Sequence, residues 1–418
     1  MNRTVAPSYS QAQDLKLVLP EKIMLNHGVA LYWLKDVPDA SVKLEISWDA
    51  GSKYQDKHLV ASFTSKMLLS GSENLSAKAI SEEIDFYGGY AQQEMDKDHA
   101  GISLYGLAEN IEAIFEVFEK AFALVSFPDS ELQKELDISL NKFRVESQKV
   151  KTLCRRAFVK GLYGENTKYG QVASEEDFKK LQSADLLNYF NDKYKFAPVI
   201  FLTGNVPDQF IDKLRLWTNH FKPIEQPHFS QDFSQTKGRV EIPKEGALQS
   251  AIRIGRLMFK KDHPDYYKFQ LLNTILGGYF GSRLMTNIRE EKGYTYGIGS
   301  GMAVLQDVGY FFVSTEVGSS VKEDAIKEVF HEFDRLKNEL ISADELVKVK
   351  NYMLGEFLRQ ADGPLHMMEI FKNIYFNRLP PTYYSDFIKA IHSATAEELM
   401  TLANKYLVRD AMVEVTAG

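Results

Sequence analysis

Cysteine is almost absent from this chain of 418 residues, which contains Cys154 alone. One thiol excludes an intramolecular disulfide and any metal site built from several cysteines, and it fits a reducing compartment. No stretch approaches the roughly 18 consecutive apolar residues that a membrane-spanning helix needs. Residues 1–22 also lack the apolar core of a secretory signal peptide. The chain is therefore predicted to be soluble and cytoplasmic, although a mature periplasmic chain that had lost its signal would look the same.

A large excess of either charge is also lacking. The 50 Lys and Arg residues stand against 57 Asp and Glu residues, which leaves a net charge of −7. Nucleic-acid-binding surfaces are basic, so we expect no nucleic-acid partner, and we expect no membrane partner. Hydrophobic residues at 44% and charged residues at 26% are ordinary globular values, and they exclude a disordered or fibrous protein.

Several familiar catalytic motifs are missing as well. No two of the 9 histidines lie within five residues of each other, so none forms the i, i+4 pair of a zinc-binding helix. There is no GxSxG nucleophile elbow and no GxxxxGK[ST] phosphate loop. Residues 297–301 are rich in glycine but lack dinucleotide-binding spacing, and we predict a turn there, before a strand. Cys154 lies on a probable helix, where a structural thiol is favoured over a nucleophile.

Strand and helix patterns alternate along the chain in two similar series. The first half is predicted to contain strands at 25–34, 41–51, 99–108 and 197–206, and helices at 58–71, 76–88, 109–124 and from 129 to about 150. A segment rich in proline and polar residues follows at 222–246. The second half is predicted to contain strands at 251–259 and 309–318, and helices at 265–276, around 325–330 and from about 343.

An internal match at a fixed offset connects the two series. The sequence AIFEVF at 113–118 recurs as AIKEVF at 325–330, and Glu131-Leu132 recurs as Glu345-Leu346. Two matches at nearly one offset, in the same order of elements, indicate a duplication. The predicted fold class is α+β, with two homologous domains that each contain a mixed, mostly antiparallel sheet with helices packed on it. The predicted domains are 1–221 and 247–418, and the linker is 222–246.

The most specific segment of the chain is LGGYFGSRLMTNIREEKGYTYGI at 276–298. It resembles the LGG-x-F-SSRL and IRE-x-KG motifs of the insulinase/pitrilysin metallopeptidase family, in its mitochondrial-processing-peptidase-like branch. The resemblance covers nearly the whole chain, because the opening strand, the central linker and the duplicated domains also match. It implies the LuxS/processing-peptidase-like fold and an ancestry among zinc peptidases.

The family's inverted zinc motif, HxxEH, is replaced in this chain. The corresponding stretch reads HLVASFTSKMLLSGS at 58–72, where MLLSGS matches the family's MLFKGT without a gap. The three ligand positions and the general-base position are then occupied by Ser62, Lys66, Lys142 and Ser65. A lysine at two ligand positions brings positive charge, and a serine cannot accept a proton from water near neutral pH. We therefore expect no metal and no cofactor on this chain.

The C-terminal half keeps another part of the family's site. Members of the family carry an arginine and a tyrosine, seven residues apart, that are thought to bind the substrate backbone and its carbonyl oxygen. The sequence IREEKGYTY supplies Arg289 and Tyr296 at this spacing. Both side chains donate hydrogen bonds, and those of arginine are charge-assisted. The resemblance implies a noncatalytic subunit that supplies both residues to a partner's zinc site.

The partner implied by this resemblance is a zinc-bearing HxxEH homologue of similar length, or else a second copy of the chain in a homodimer. Unfolded peptides are the expected substrates, bound by backbone hydrogen bonds to a strand edge within 88–104. Two alternatives stay open. A purely structural or binding homologue, like the core subunits of respiratory complexes, would not need Arg289 and Tyr296. A zinc-dependent metalloendopeptidase would need an unorthodox metal site.

Overall fold

The computed structural model describes residues 17–38, 40–223 and 232–418. Most of the N-terminal segment considered for a signal peptide, and part of the predicted linker, lie outside these described residues. Contacts divide the chain into two compact units. We call Leu19–Gly246 together with Val413–Gly418 the N-terminal unit, and we call the unit built mainly from Ala247–Met412 the C-terminal unit.

The elements follow one another in a regular order. The strands are β1 (Glu21–Met24), β2 (Ala30–Leu34), β3 (Ser41–Trp48), β4 (Tyr90–Met95), β5 (Ala100–Leu107), β6 (Val199–Thr203), β7 (Gly238–Ile242), β8 (Gln249–Met258), β9 (Thr295–Val304), β10 (Gly309–Gly318) and β11 (Val413–Ala417). The helices are α1 (Val60–Lys66), α2 (Ala77–Phe86), α3 (Ile111–Ala123), α4 (Asp129–Ser147), α5 (Val150–Tyr163), α6 (Glu175–Lys180), α7 (Ser183–Lys193), α8 (Asp208–Trp217), α9 (Tyr266–Asn273), α10 (Lys322–Asn338), α11 (Ala343–Gln360), α12 (Pro364–Phe376), α13 (Tyr383–Ser393) and α14 (Ala396–Tyr406). Two π-helical segments, Thr274–Gly278 and Met285–Glu291, follow α9.

The N-terminal unit contains a six-stranded sheet in the order β1-β2-β6-β3-β5-β4. Only the β2–β6 pair is parallel, and the other neighbours are antiparallel. Leu44 and Ile46 of β3 face Leu104 and Ile102 of β5, and all four are buried. These side chains belong to one hydrophobic core with the inward face of α3, where Phe115 is fully buried. The strand β4 ends the sheet and pairs with β5 alone among the described strands.

The C-terminal unit contains the antiparallel ladder β8-β10-β9. Ile254 of β8 faces Val313 of β10, and both belong to a core that includes Val329 and Phe333 of α10. The parallel pair of β7 and β11 belongs to the N-terminal unit, where Cys154 of α5 donates a hydrogen bond to the Val415 carbonyl at 3.3 Å. The segment predicted as a linker therefore contains a strand, β7.

The two halves of the chain repeat one order of elements. A strand, two helical segments, an edge strand, its antiparallel neighbour and two longer helices appear as β3-α1-α2-β4-β5-α3-α4. The same order recurs as β8, α9, the segment Met285–Glu291, β9, β10, α10 and α11. AIFEVF lies in α3 and AIKEVF lies in α10, so the duplicated hexapeptides occupy equivalent helices. The predicted α+β fold with two homologous domains is confirmed.

Three local predictions differ from the structure. The strand expected at 25–34 begins only at Ala30, because a short 3-10 helix, Asn26–Gly28, precedes it. The helix expected at 58–71 is shorter, because Leu59 has a left-handed φ of 71° at its start and Met67 leaves helical geometry at its end. The turn expected at 297–301 is wrong, since these residues lie inside β9 and pair with β10. Backbone pairing with a neighbouring strand outweighs the low strand propensity of glycine here. None of the described helices combines the length and apolarity needed to cross a membrane.

Candidate functional site

The replaced zinc motif lies on α1. Ser62 and Lys66 are four residues apart on this helix, so their side chains share a face. The Ser62 hydroxyl donates a hydrogen bond to the Leu59 carbonyl at 2.9 Å. The Ser65 hydroxyl is buried and donates to the Glu94 carbonyl of β4 at 3.3 Å. Both hydroxyls are therefore occupied by the backbone around them.

Lys66 forms an ion pair with α4. Its ammonium donates to the carboxylate of Glu135 and, at 3.3 Å, to the hydroxyl of Ser139. The Ser139 hydroxyl in turn donates to Glu135 Oε1 at 2.7 Å. The Lys66 side chain is 53% exposed and that of Glu135 is 21% exposed. A positive charge on α1 is thus neutralised by Glu135 of α4, which lies seven residues before Lys142, the residue at the third ligand position. Lys142 lies exposed on the same helix.

These residues do not fit a zinc ion. Zinc in proteins is held by histidine, cysteine and carboxylate ligands, usually four in all with water. The ligand positions on α1 and α4 carry serine and lysine instead, and the ammonium of Lys66 would repel a cation. Within the described parts of the chain, no group of three His, Cys, Asp or Glu side chains is arranged to hold a metal.

The two histidines nearest in sequence to the replaced motif serve other contacts. His58 Nδ1 lies 3.1 Å from Asp177 Oδ2. Burial alone would raise the pKa of Asp177, but hydrogen bonds from Ser174 and His58 lower it below its usual value. His99 lies between β4 and β5, where burial lowers its pKa despite the nearby carboxylates of Asp96 and Asp49. Both rings therefore take part in local packing and polar contacts.

Arg289 and Tyr296 are brought together by an irregular helix end. The segment Met285–Glu291 ends with a wide turn, in which Lys292 N–H donates to the Asn287 carbonyl at 2.9 Å. Gly293 then adopts a φ of 67°, which favours glycine, and the chain enters β9. The Arg289 guanidinium carbon lies 5.5 Å from the Tyr296 ring centroid. The pair predicted from the sequence is therefore spatially adjacent.

A third residue, Phe280, completes this cluster. The Arg289 guanidinium lies 4.6 Å from the Phe280 ring centroid, so it contacts two aromatic rings. Phe280 is 64% exposed and Tyr296 is 93% exposed. The Arg289 side chain forms no hydrogen bond or ion pair with any residue that the structure describes. Two aromatic contacts position the guanidinium while its N–H donors stay available to a ligand.

A second arginine, Arg283, lies two residues before this helical segment and has the opposite character. Arg283 is 9% exposed, and it donates to both carboxylate oxygens of Glu345 at 3.0 and 2.8 Å. Such a two-bond arrangement fixes the start of α11 against this segment. The close packing extends to Gly277, where an added Cβ would lie 2.7 Å from the Ser300 backbone nitrogen of β9. Packing thus accounts for the LGG and SRL parts of the motif, whereas no packing contact requires an arginine at position 289.

Sequence reasoning missed two of these contacts. Phe280 lies within the quoted motif, but its stacking on Arg289 depends on how the two π-helical segments are placed. The Lys66–Glu135 pair joins residues that are 69 positions apart, and only their opposite charges signal the pairing. Lys142, predicted to occupy a ligand position, is exposed on α4.

Comparisons with known proteins match this geometry to one family. Residues 32–174 match the family model "Insulinase (Peptidase family M16)", and residues 180–353 match "Peptidase M16 inactive domain". The chain is 23% identical over 342 residues to a Bacillus subtilis (strain 168) protein named "Uncharacterized zinc protease YmxG", which covers 79% of this chain and 82% of that protein. It is 21% identical to "Non-peptidase homolog YmxG" of Helicobacter pylori, over 85% of this chain and 84% of that protein.

A solved structure shows the same relationship. The crystal structure of a peptidase M16 inactive domain from Pseudomonas fluorescens superposes with a TM-score of 0.84 at 25% identity, over 96% of this chain and 98% of that one. The two family matches together span most of the chain, from residue 32 to residue 353. The chain therefore belongs to the insulinase, or M16, peptidase family.

Proposed function

We propose that this chain is a noncatalytic, substrate-binding subunit of a heterodimeric zinc peptidase that acts on unfolded peptides. The observation that carries the proposal is the state of Arg289, whose guanidinium is held by Phe280 and Tyr296 but has no polar partner among the described residues. A positioned donor group without a partner in its own chain is suited to a ligand's carbonyl oxygen. The adjacent hydroxyl of Tyr296, which is 93% exposed, is a second donor.

The metal and the water-activating glutamate belong to the partner in this proposal. A homologue of similar length with an intact HxxEH motif would supply both, whereas a second copy of this chain would bring Ser62, Ser65 and Lys66 again. The relatives named as a zinc protease and as a non-peptidase homologue support a chain derived from peptidases without its own catalytic centre. A cytoplasmic location remains a proposal that rests on the single cysteine.

The edge strand β4 is the proposed place of peptide binding. Its residues alternate between exposed and half-buried positions, and its outer edge has no strand beside it among the described residues. An extended peptide can add to such an edge by main-chain hydrogen bonds, which suits many sequences. The Ser65–Glu94 hydrogen bond links α1 to β4, so the replaced catalytic helix here supports the edge strand.

The experiment is a peptide-cleavage assay with the chain mixed with its HxxEH-bearing partner. We expect Arg289→Ala and Tyr296→Phe to lower kcat/KM by roughly 10²–10³, because one oxyanion donor is worth about 2.7–4 kcal/mol. Assembly of the two subunits, as measured by size-exclusion chromatography, should not change. Lys327→Ala is the matched control, since Lys327 is an exposed residue of α10 that pairs with Asp324 within its own helix.

Each remaining outcome decides between the alternatives. Full activity in both variants would overturn the proposal and leave the chain as a structural or binding homologue. Metal-dependent cleavage by this chain alone would instead indicate an unorthodox metal site. We expect no cleavage without the partner, because the metal-ligand and general-base positions on α1 and α4 carry serine and lysine.

A further inference from the structure

A cavity of about 410 Å³ lies in the C-terminal unit, among α9, α11, α12 and α13. This volume is within the range of small-molecule pockets, about 300–1,000 Å³. One wall is aromatic, since the Phe357 ring stacks on Tyr384 with 4.9 Å between centroids and meets the Phe387 ring edge-on at 5.7 Å. A flat or branched apolar group fits such a surface.

The polar wall of the cavity carries Lys261. Its ammonium donates to the side-chain oxygen of Asn373, whose amide nitrogen donates to the Tyr384 hydroxyl at 2.7 Å. Lys261 is half-buried, and it has no carboxylate partner among the described residues. Loss of hydration lowers the pKa of Lys261 to about 8. A partly dehydrated ammonium without a counter-charge is a suitable place for an anion.

The other charged group on the cavity wall is already neutralised. Glu356 lines the cavity, and Arg359 donates to its two carboxylate oxygens at 2.6 and 3.3 Å. Lys261 therefore leaves one uncompensated positive charge on the cavity wall. A monoanion balances that charge, whereas a phosphate dianion would leave a negative charge in an aromatic surrounding. A carboxylate is thus the better match than a phosphate.

We propose that this cavity binds a monocarboxylate whose other end is an aromatic or bulky apolar group. The carboxylate pairs with Lys261, and the apolar group lies against Phe357, Tyr384 and Phe387. The same chemistry is present in a small free acid and in the C-terminal residue of a peptide. The proposal stands apart from the proposed peptidase role, since none of its residues belongs to the Arg289 cluster.

Binding should depend on pH chiefly through Lys261 between about pH 7 and 9. The other titratable groups that line the cavity are Tyr266 of α9, Tyr352 and Glu356 of α11, and Tyr383 and Tyr384 of α13. Burial raises the pKa of Tyr266 to about 12 and also raises that of Tyr383 and of Tyr384. The Arg359 guanidinium lowers the pKa of Glu356. Because the ligand pairs with the protonated amine, its affinity should fall as Lys261 loses its proton.

The test is a calorimetric titration of the full chain with N-acetyl-L-phenylalanine at pH 7. We expect saturable binding of one molecule per chain. N-acetyl-L-phenylalaninamide, which lacks the carboxylate, and the Lys261→Met variant should each bind at least about tenfold more weakly, as expected for a lost charged hydrogen bond. Lys260→Met is the matched control, because Lys260 is exposed and adjacent. Arg289→Ala should also bind normally, which separates this site from the proposed peptidase function.

The remaining outcomes are decisive. Equal affinity for the acid and the amide, or unchanged affinity in Lys261→Met, would overturn the proposal. If Lys261→Met does not fold, the pH profile of the wild type replaces it: the dissociation constant should rise about tenfold per pH unit well above the Lys261 pKa, and a flat profile would contradict the assignment. N-acetyl-Ala-Ala-Phe distinguishes the sources, because tighter binding than the single residue indicates a peptide C terminus and exclusion indicates a small free acid.

Discussion

The two halves of this chain repeat one order of elements but differ in whether their key polar side chains have partners within the unit. In the N-terminal unit, the hydroxyls of Ser62 and Ser65 donate to backbone carbonyls, and Lys66 pairs with Glu135. In the C-terminal unit, Arg289 contacts only aromatic rings among the described residues, and Tyr296 is almost fully exposed. The polar groups of the first set thus have hydrogen-bond partners within their own unit, whereas the guanidinium of Arg289 has no such partner among the described residues.

Under the proposed function, this difference explains how a duplicated peptidase domain can lose its metal site and keep its substrate-binding residues. Each replacement on α1 substitutes a side chain that finds a partner inside the unit, so the loss of the metal ligands leaves no unpaired polar group on that helix. Unsatisfied buried groups are costly, and their avoidance stabilises the metal-free state. No such compensation surrounds Arg289. The comparison therefore predicts that changes on α1 affect metal content and stability, and that changes at Arg289 affect ligand binding.

The largest expected effect comes from restoring the zinc motif. We expect the wild-type chain to retain no stoichiometric zinc after dialysis, and the variant Ser62→His, Ser65→Glu, Lys66→His, Lys142→Glu to retain about one zinc per chain. The two new histidines would share one helical face, as in the family's inverted motif. Elemental analysis of both proteins measures the difference.

Circular dichroism of the restored variant is the necessary control for its folding. One zinc per wild-type chain would contradict the statement that the residues on α1 and α4 do not fit a zinc ion. A folded variant without zinc would show that α1 and α4 are not aligned as the sequence match requires. A family member with an intact HxxEH motif supplies the positive reference for the assay.

Much of this architecture could be predicted from the sequence, because hydrophobic periodicity and the repeated hexapeptide are local signals. AIFEVF and AIKEVF were placed on helices and lie in α3 and α10. The pair of Arg289 and Tyr296 came from the resemblance to the family's motif, and the structure brings the two side chains together across the turn at Gly293. The strand at 297–301 was missed because its glycines are held by pairing with β10, which is a tertiary effect. No sequence pattern singles out Lys261, since its loss of hydration depends on α11, α12 and α13, which are far from it in sequence.

A smaller effect should separate the two arginines of the segment that carries the family motif. Arg283→Ala should lower the free energy of unfolding by about 1–3 kcal/mol, because it leaves the carboxylate of Glu345 without its two charged hydrogen bonds. Arg289→Ala should lower it by no more than about 0.5 kcal/mol, since that side chain has no polar partner among the described residues. Urea unfolding of both variants measures the contrast.

Arg283→Lys sharpens this test, because lysine keeps the charge but cannot form the two-bond arrangement. Its stability should lie between that of Arg283→Ala and the wild type. If Arg289→Ala destabilised the chain as much as Arg283→Ala, then Arg289 would be a structural residue. The proposed role in ligand binding would lose its main support in that case.

The smallest expected effect concerns the Lys66–Glu135 pair. A double-mutant cycle with Lys66→Met and Glu135→Gln should give a coupling free energy of about 0.2–1 kcal/mol, because the Lys66 side chain is 53% exposed and water screens the pair. The coupling should shrink in 1 M salt. The Lys134–Glu131 pair, three residues apart on α4 at 2.7 Å, is the matched control for a local ion pair.

A coupling above about 2 kcal/mol between Lys66 and Glu135 would mean that these two charges are far less hydrated than their exposure indicates. No coupling at all would mean that Glu135 does not hold Lys66, and the α1 cation would then be as available to a ligand as Arg289.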